Sequence, residues 1–223
     1  VTTAHLEAER ADIAAACHQL AASGLVLGSA GNVSVRTGDH IAITASGARL
    51  ADIGLEQIVV VDVDGALVGG DFAPTSELQL HLDIYRHHPQ TGAVVHTHAP
   101  KCTAVACVLD ELPVLHYQQL TLGGATKVAP FHPFGTRELA DAVSTALAGR
   151  SAALMANHGA VTHGPTLDLA VEYTLLLEWA CAVYLDARAL GTPRILSADQ
   201  QSAVIDTALR LRYGRPQSLS KEP

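Results

Sequence analysis

AVVHTHAP, residues 93–100, puts two histidines one residue apart at the end of an apolar run. Val94–His98 reads as a strand, and residues i and i+2 of a strand point to the same side. His96 and His98 therefore share a face and can converge on one metal ion. A third histidine, His158, lies in Asn157-His158-Gly159, just after another apolar strand ending at Met155-Ala156. A glycine at that position lets the backbone turn sharply beside a site. Three imidazoles with an open position describe a catalytic zinc or a similar divalent ion. Structural zinc usually takes several cysteines, and none sits nearby. An HxH pair can equally meet a carboxylate or cap a strand. With twelve histidines in the chain, spacing alone leaves these readings open.

Outward from this strand, helices and strands alternate. Upstream, Pro74-Thr75-Ser76 leads into a helix over 76–88, with Ser76 and Gln79 at capping-box spacing. Downstream, 100–109 reads as a short helix. Residues 4–23 read as a helix with Leu6, Ile13, Cys17 and Leu20 near one face and Gly24 where a C-cap belongs. Short strands are expected at 32–36 and 40–44. Residues 59–63 and 66–68 flank Asp64-Gly65 as a hairpin. Residues 110–134 read as mixed loop and strand, 135–148 as a helix, Val161 as part of a strand, and 166–190 and 197–212 as long helices. Short strands interleaved with helices predict a three-layer α/β/α fold: a central mixed, largely antiparallel sheet with helices on both faces. Residues 1–213 read as one domain, followed by a polar tail over 214–223.

A length of 223 residues and 48% hydrophobic content allow a sizeable core. The net charge of −8 argues against general binding to nucleic acid or an anionic membrane, both of which need a cationic surface. Cys17, Cys102, Cys107 and Cys181 form no CxxC and read as reduced core thiols of a cytoplasmic protein. The segment VTTAHLEAERAD carries charge and lacks an apolar signal core. The most apolar stretch, 170–185, contains Glu172 and Glu178 and so reads as a buried helix.

Three small-polar turns, two of them glycine-bearing, lie near strand ends: SAGNVSVR (29–36), ITASG (43–47) and Pro74-Thr75-Ser76. Together they make a plausible phosphate cradle without lysine, although each alone is ordinary turn chemistry. No Walker or Rossmann fingerprint is present, so a nucleotide is not indicated. Glu77 follows at once. A carboxylate in a first helical turn is favoured by the helix dipole; the sharper reading is a general base beside a metal.

These motifs, with VVHTHAPKCTAVA, PVLHY, FGTREL and NHG, occur in an order and spacing that closely resemble the zinc-dependent class II aldolase and adducin-like family, typified by L-fuculose-1-phosphate aldolase. The resemblance runs from about residue 6 to Tyr213. It implies that His96, His98 and His158 hold one Zn2+ or another divalent ion per chain. Glu77 would be the catalytic carboxylate and a metal ligand when substrate is absent. Asn32, Thr44, Ser46, Gly47, Thr75 and Ser76 would bind phosphate. Tyr117 would reach a neighbouring subunit's site and act on the aldehyde oxygen, and Tyr213, in a mobile tail, would be a second functional tyrosine. A homotetramer with sites at subunit interfaces is implied, as is reversible cleavage of L-fuculose 1-phosphate, or a similar ketose 1-phosphate, to dihydroxyacetone phosphate and L-lactaldehyde. The family often has Ser-Ser-Glu and Thr-Pro-Thr-Gly where this chain has Thr75-Ser76-Glu77 and Thr44-Ala45-Ser46-Gly47. Both departures keep the hydroxyls.

Rival readings share the fold. The 4-epimerases of this superfamily usually carry Asp at the position of Glu77. Sugar-phosphate decarboxylases and a dehydratase keep the Glu and the histidines, and the paired tyrosines lean away from them. Non-catalytic binding modules tend to lose the ligands, which this chain keeps.

Overall fold

The computed structural model describes residues 6–214. Of the expected polar tail, residues 215–223 lie outside the described residues, as do residues 4 and 5 of the first helix. In chain order the elements are α1 (Glu7–Ala22), β1 (Asn32–Thr37), β2 (His40–Thr44), β3 (Ile58–Asp62), β4 (Leu67–Gly69), α2 (Leu78–His87), β5 (Ala93–Thr97) and α3 (Pro100–Ala106). They continue with β6 (Glu111–Leu112), β7 (Thr126–Ala129), α4 (Arg137–Ala146), β8 (Ala152–Met155), β9 (Gly159–Gly164), α5 (Leu167–Leu190) and α6 (Ala198–Leu211). Short 3-10 helices occupy Leu55–Gln57 and Tyr117–Leu122.

The strands form one sheet in the order β4-β3-β2-β1-β5-β9-β8-β7-β6. Every neighbouring pair is antiparallel except β7 with β8. The expected mixed, largely antiparallel sheet is therefore present. The expected hairpin is β3–β4: Asp62 Oδ1 accepts from the N–H groups of Asp64 and Ala66 at 3.0 and 2.9 Å, and Gly65 takes φ +91°.

Side-chain alternation assigns the helices to two faces. On β1, Ser34 turns to α2, where its hydroxyl meets His81 and Tyr85. On β9, Thr162 turns the other way, and its hydroxyl meets the Ala170 carbonyl and Thr174 of α5. Register carries this across the sheet. Asn32 pairs with His96 and His96 with Val161, all on the α2 face. Val95 pairs with Thr162 on the α5 face. Helix α1 behaves as its apolar spacing predicts: Ile13, Cys17 and Leu20 are fully buried, and each such Leu or Ile contributes roughly 1.5–3 kcal/mol.

Three local expectations are corrected. The Ser76–Gln79 capping box does not form: α2 starts at Leu78 with Glu77 as its N-cap, and Gln79 instead donates to Asp83 Oδ1 at 2.7 Å. Ser76 lies in a turn closed by the Leu78 N–H on the Thr75 carbonyl at 3.1 Å, so its hydroxyl is not at a cap. Second, the sharp bend before β9 is made by Asn157, at φ +56°, and not by Gly159. Asparagine tolerates this region. Gly159 is needed for closeness, since a Cβ there would sit 2.3 Å from the Thr97 carbonyl oxygen. Third, Cys107 is exposed, while Cys17, Cys102 and Cys181 are buried; all four are free thiols. No helix among the described residues is long and apolar enough to cross a membrane.

Candidate active site

The site lies over the centre of the sheet, on the α2 face. His96 is the last residue but one of β5, and its Nδ1 lies 2.9 Å from the Ala160 carbonyl oxygen of β9. A carbonyl only accepts, so Nδ1 carries a proton, and Nε2 is the nitrogen turned to the site. That Nε2 lies 3.1 Å from the Nε2 of His98. His158, in the β8–β9 turn, completes the group: the three rings stand 4.8–4.9 Å apart, centroid to centroid, edge to face. Their ligand nitrogens all fall within 4.8 Å of one another. The sequence expectation that His158 joins the HxH pair is met in space.

Glu77, at the N-cap of α2, faces the histidines. Its Oε2 lies 3.1 Å from His96 Nε2, and its Oε1 lies 3.5 Å from His158 Nε2. Asn32 Nδ2 donates to Oε2 at 2.9 Å. Burial pushes the Glu77 carboxyl up, but the charge and hydrogen bond of His96, the charge of His158 and the Asn32 amide outweigh it, and the group is held well below the usual carboxylate range. His96 is pushed down by burial and more strongly up by Glu77 and the Ala160 carbonyl, so it rises. Burial, followed by repulsion from its imidazole neighbours, lowers His98 to about 4. Burial and His96 lower His158 to about 4 as well. At neutral pH both therefore offer lone pairs. Glu77 Oε1 is buried without a hydrogen-bond partner. Three convergent imidazole nitrogens and a buried, under-satisfied carboxylate oxygen suit a divalent ion of the zinc kind.

Before this cluster opens a cavity of about 830 Å³. Asn32, Ser46, Gly47, Thr75, Ser76, Glu77, His98 and His158 line it. Thr44 does not: it is buried, and its Oγ1 accepts from the Val33 N–H at 3.3 Å. Its carbonyl instead accepts from Thr75 N–H at 3.1 Å, and Ser46 N–H donates to the Ala73 carbonyl at 2.9 Å. Thr44 thus laces the turns over 43–47 and 73–76 together. Gly31 carries the third turn against β5: at φ +100°, a Cβ there would meet the His96 carbonyl oxygen at 2.9 Å.

Tyr117 and Tyr213 come together but not at the cavity. Their hydroxyl oxygens are 3.1 Å apart, both rings are exposed, and they border a separate apolar groove with Ala203, Val204 and Leu211. The hydrogen bond to Tyr213 pushes the Tyr117 phenol up.

Two groups of residues escaped the sequence reading. Leu27, Phe131 and Phe134 line the cavity as exposed apolar side chains; nothing local in the sequence marks them. The second group lies behind Asn32. His81 Nε2 is hydrogen-bonded to Asn32 Oδ1, His81 Nδ1 lies 2.7 Å from Ser34 Oγ, and Ser34 Oγ lies 2.8 Å from the Tyr85 hydroxyl. A signal for this group was present: Glu77, His81 and Tyr85 are spaced i, i+4, i+8 along α2, and Asn32 and Ser34 are spaced i, i+2 on β1.

The geometry agrees with known proteins. Residues 11–185 match the class II aldolase and adducin N-terminal domain family. The 5-methylthioribulose-1-phosphate/5-deoxyribulose-1-phosphate aldolase of Rhodospirillum rubrum is 38% identical over 192 residues, covering 86% of each chain. The L-fuculose phosphate aldolase of Escherichia coli is 35% identical over 190 residues, covering 85% of this chain and 88% of its own. A solved L-fuculose 1-phosphate aldolase superposes with a TM-score of 0.85 at 30% identity, covering 89% of this chain and 94% of its own. With the family match spanning most of its length and its fold shared with a solved relative, the chain belongs to the class II aldolase and adducin N-terminal domain family.

Proposed function

We propose that the chain is a metal-dependent aldolase that reversibly cleaves a ketose 1-phosphate to dihydroxyacetone phosphate and an aldehyde, L-fuculose 1-phosphate with L-lactaldehyde being one such pair. The observation that carries the reading is the position of Glu77, with its two oxygens 3.1 and 3.5 Å from the ring nitrogens of His96 and His158. His96, His98 and His158 would hold one ion, with zinc favoured by imidazole ligands, and Glu77 would join them when substrate is absent. Bound there, the ion supplies Lewis acidity that stabilises negative charge on substrate oxygens.

The chain's own residues do the rest. Asn32, Ser46, Gly47, Thr75 and Ser76 line the cavity as small donors suited to a phosphate. Thr44 would support them by holding two of the turns together. Anchoring the phosphate brings the carbon next to the ketone to Glu77. In the synthetic direction Glu77 takes that carbon's proton, and the carbon attacks the aldehyde carbonyl. Tyr117 donates a proton to the aldehyde oxygen, with Tyr213 orienting it. Both tyrosines lie away from their own chain's cavity, which favours service to a neighbour's site in a homotetramer.

The apolar lining by Leu27, Phe131 and Phe134 favours an aldehyde whose far end lacks a hydroxyl. The substrates named for the relatives share that feature: fuculose ends in a methyl group, deoxyribulose in a methyl, and methylthioribulose in a methylthio group. The test is a panel of ketose 1-phosphates ending in CH3, CH3S–CH2 or CH2OH, with dihydroxyacetone phosphate quantified. Expected is metal-dependent cleavage, faster for the apolar ends. No cleavage of any member by the zinc-loaded chain, with decarboxylation or dehydration of a sugar phosphate instead, would overturn the reading. Sedimentation at assay concentration should find a tetramer, and an active monomer would remove the role given to Tyr117.

A further inference from the structure

We propose that Tyr85, Ser34, His81 and Asn32 form a one-way chain of hydrogen-bond donors ending on Glu77 Oε2, and that His81 is a positioning residue which leaves Oε1 as the proton-taking oxygen. The direction follows from chemistry. An ionised carboxylate only accepts, so the Asn32 amide must present its NH2 to Glu77, as it does at 2.9 Å. Its carbonyl oxygen then faces His81 Nε2, which must donate. A neutral imidazole that donates from Nε2 accepts at Nδ1, so Ser34, at 2.7 Å, donates to it. Ser34 Oγ, having given its hydrogen, accepts from the Tyr85 hydroxyl at 2.8 Å. Every link is therefore forced by the last.

Except where Asn32 and Glu77 border the cavity, the chain is shut off from solvent. Ser34 and His81 are fully buried, and Tyr85, Asn32 and Glu77 nearly so. Burial, then the charge of His96, lowers His81 to about 3 against the opposing pull of Glu77, which keeps the ring neutral as the directed chain requires. At the far end, Oε2 is pinned by Asn32 while Oε1 has no hydrogen-bond partner. The two oxygens of one carboxylate are thus made unequal. Without the His81 donor, the Asn32 carbonyl oxygen is left buried and unpaired, and only the carboxylate itself holds the amide in this orientation. Its flipped form would set an oxygen against Oε2.

The inference rests on Glu77 as the proton-transferring carboxylate, and two measurements separate its failure from that of the reading. The first uses the zinc-loaded wild-type chain with 15N-labelled histidine, His81 being assigned by loss of its signal in His81→Gln. The 15N shifts should place the proton on Nε2 and a lone pair on Nδ1, and Ser34→Ala should move the Nδ1 signal. A proton on Nδ1 overturns the chain whatever the reaction. The second follows exchange of the dihydroxyacetone phosphate α-proton with solvent. His81→Leu, folded and metal-replete, should lose about 10–100-fold in kcat while KM stays within about threefold. His81→Gln, which keeps an N–H for Asn32, should recover most of the loss. Wild-type kcat in His81→Leu, or a change in KM alone, overturns the positioning role. If wild type itself exchanges no proton, the aldolase reading falls instead. If His81→Leu does not fold, Ser34→Ala takes its place in the exchange assay, with a drop in kcat expected and an unchanged kcat overturning the role.

Discussion

Glu77 receives an amide on one oxygen and faces imidazoles with both, and these contacts outweigh its burial to keep it ionised. An ionised carboxylate beside three histidines can serve as a base only if a proton can reach it, and a neutral isostere removes that capacity without emptying the space. Glu77→Gln should therefore slow α-proton exchange by roughly 10²–10⁴-fold, with metal content close to one ion per chain, measured by mass spectrometry of the intact protein. Unchanged exchange would exclude the role. The residues of this site differ in how they announce themselves. His96 and His98 are two apart on a strand, so their convergence can be read directly. His158 is 62 positions from His96; its place between an apolar strand and a glycine suggests it, but among twelve histidines it is the resemblance that singles it out. The chain through His81 was missed because it joins residues 45 to 51 positions apart, and no local pattern signals such a pairing unless the helix spacing of Glu77, His81 and Tyr85 is weighed against the strand spacing of Asn32 and Ser34.

At the scale of elements, the site depends on how closely the turn before β1 approaches β5. Gly31 combines a left-handed φ of +100° with a would-be Cβ contact of 2.9 Å to the His96 carbonyl oxygen. Gly31→Ala should both strain the backbone and displace the strand end that carries His96. A loss of about 1–3 kcal/mol is expected, together with weaker metal retention, measured by denaturant unfolding and by competition with a chelator. Full stability and full metal retention would show that the turn yields freely. Element identities were largely legible. The apolar spacing of α1 and the Asp64-Gly65 turn of the β3–β4 hairpin are local signals, and both hold. The Ser76–Gln79 spacing misled because a capping box needs the helix to begin one residue after Ser76, whereas the Thr75 carbonyl closes a turn there and delays α2 to Leu78. That delay is what puts Glu77 at the helix mouth instead of inside its first turn.

For the whole molecule, acid should loosen the fold through a histidine remote from the catalytic cluster. His163 on β9 lies 2.8 Å from Thr91 Oγ1 through Nδ1 and 3.0 Å from the Arg150 carbonyl through Nε2. Burial, then the neighbouring His88, lowers it to about 4 from 6.5, against the pull of the Arg150 carbonyl. The unfolded chain thus takes up this proton first. Stability is undiminished above pH 6.5 and falls as pH drops from 6.5 towards 4, by up to about 1.4 kcal/mol per unit. Thermal unfolding across that range should be steeper for wild type than for His163→Gln; parallel slopes would refute the assignment. Sheet order was not legible, because which strands neighbour one another depends on pairings across long stretches of chain. The β5–β9 ladder, with His96 beside Val161 and Thr97 beside Ala160, is the pairing that brings His158 to its partners. Only that closure, between residues 63 and 65 positions apart, assembles the cluster, and such non-local closures are slow. A chain diluted from denaturant should first regain helical signal and only later the visible absorption of bound cobalt. The metal site is thus a clock for the sheet: its colour would report when the middle of the molecule has zipped shut.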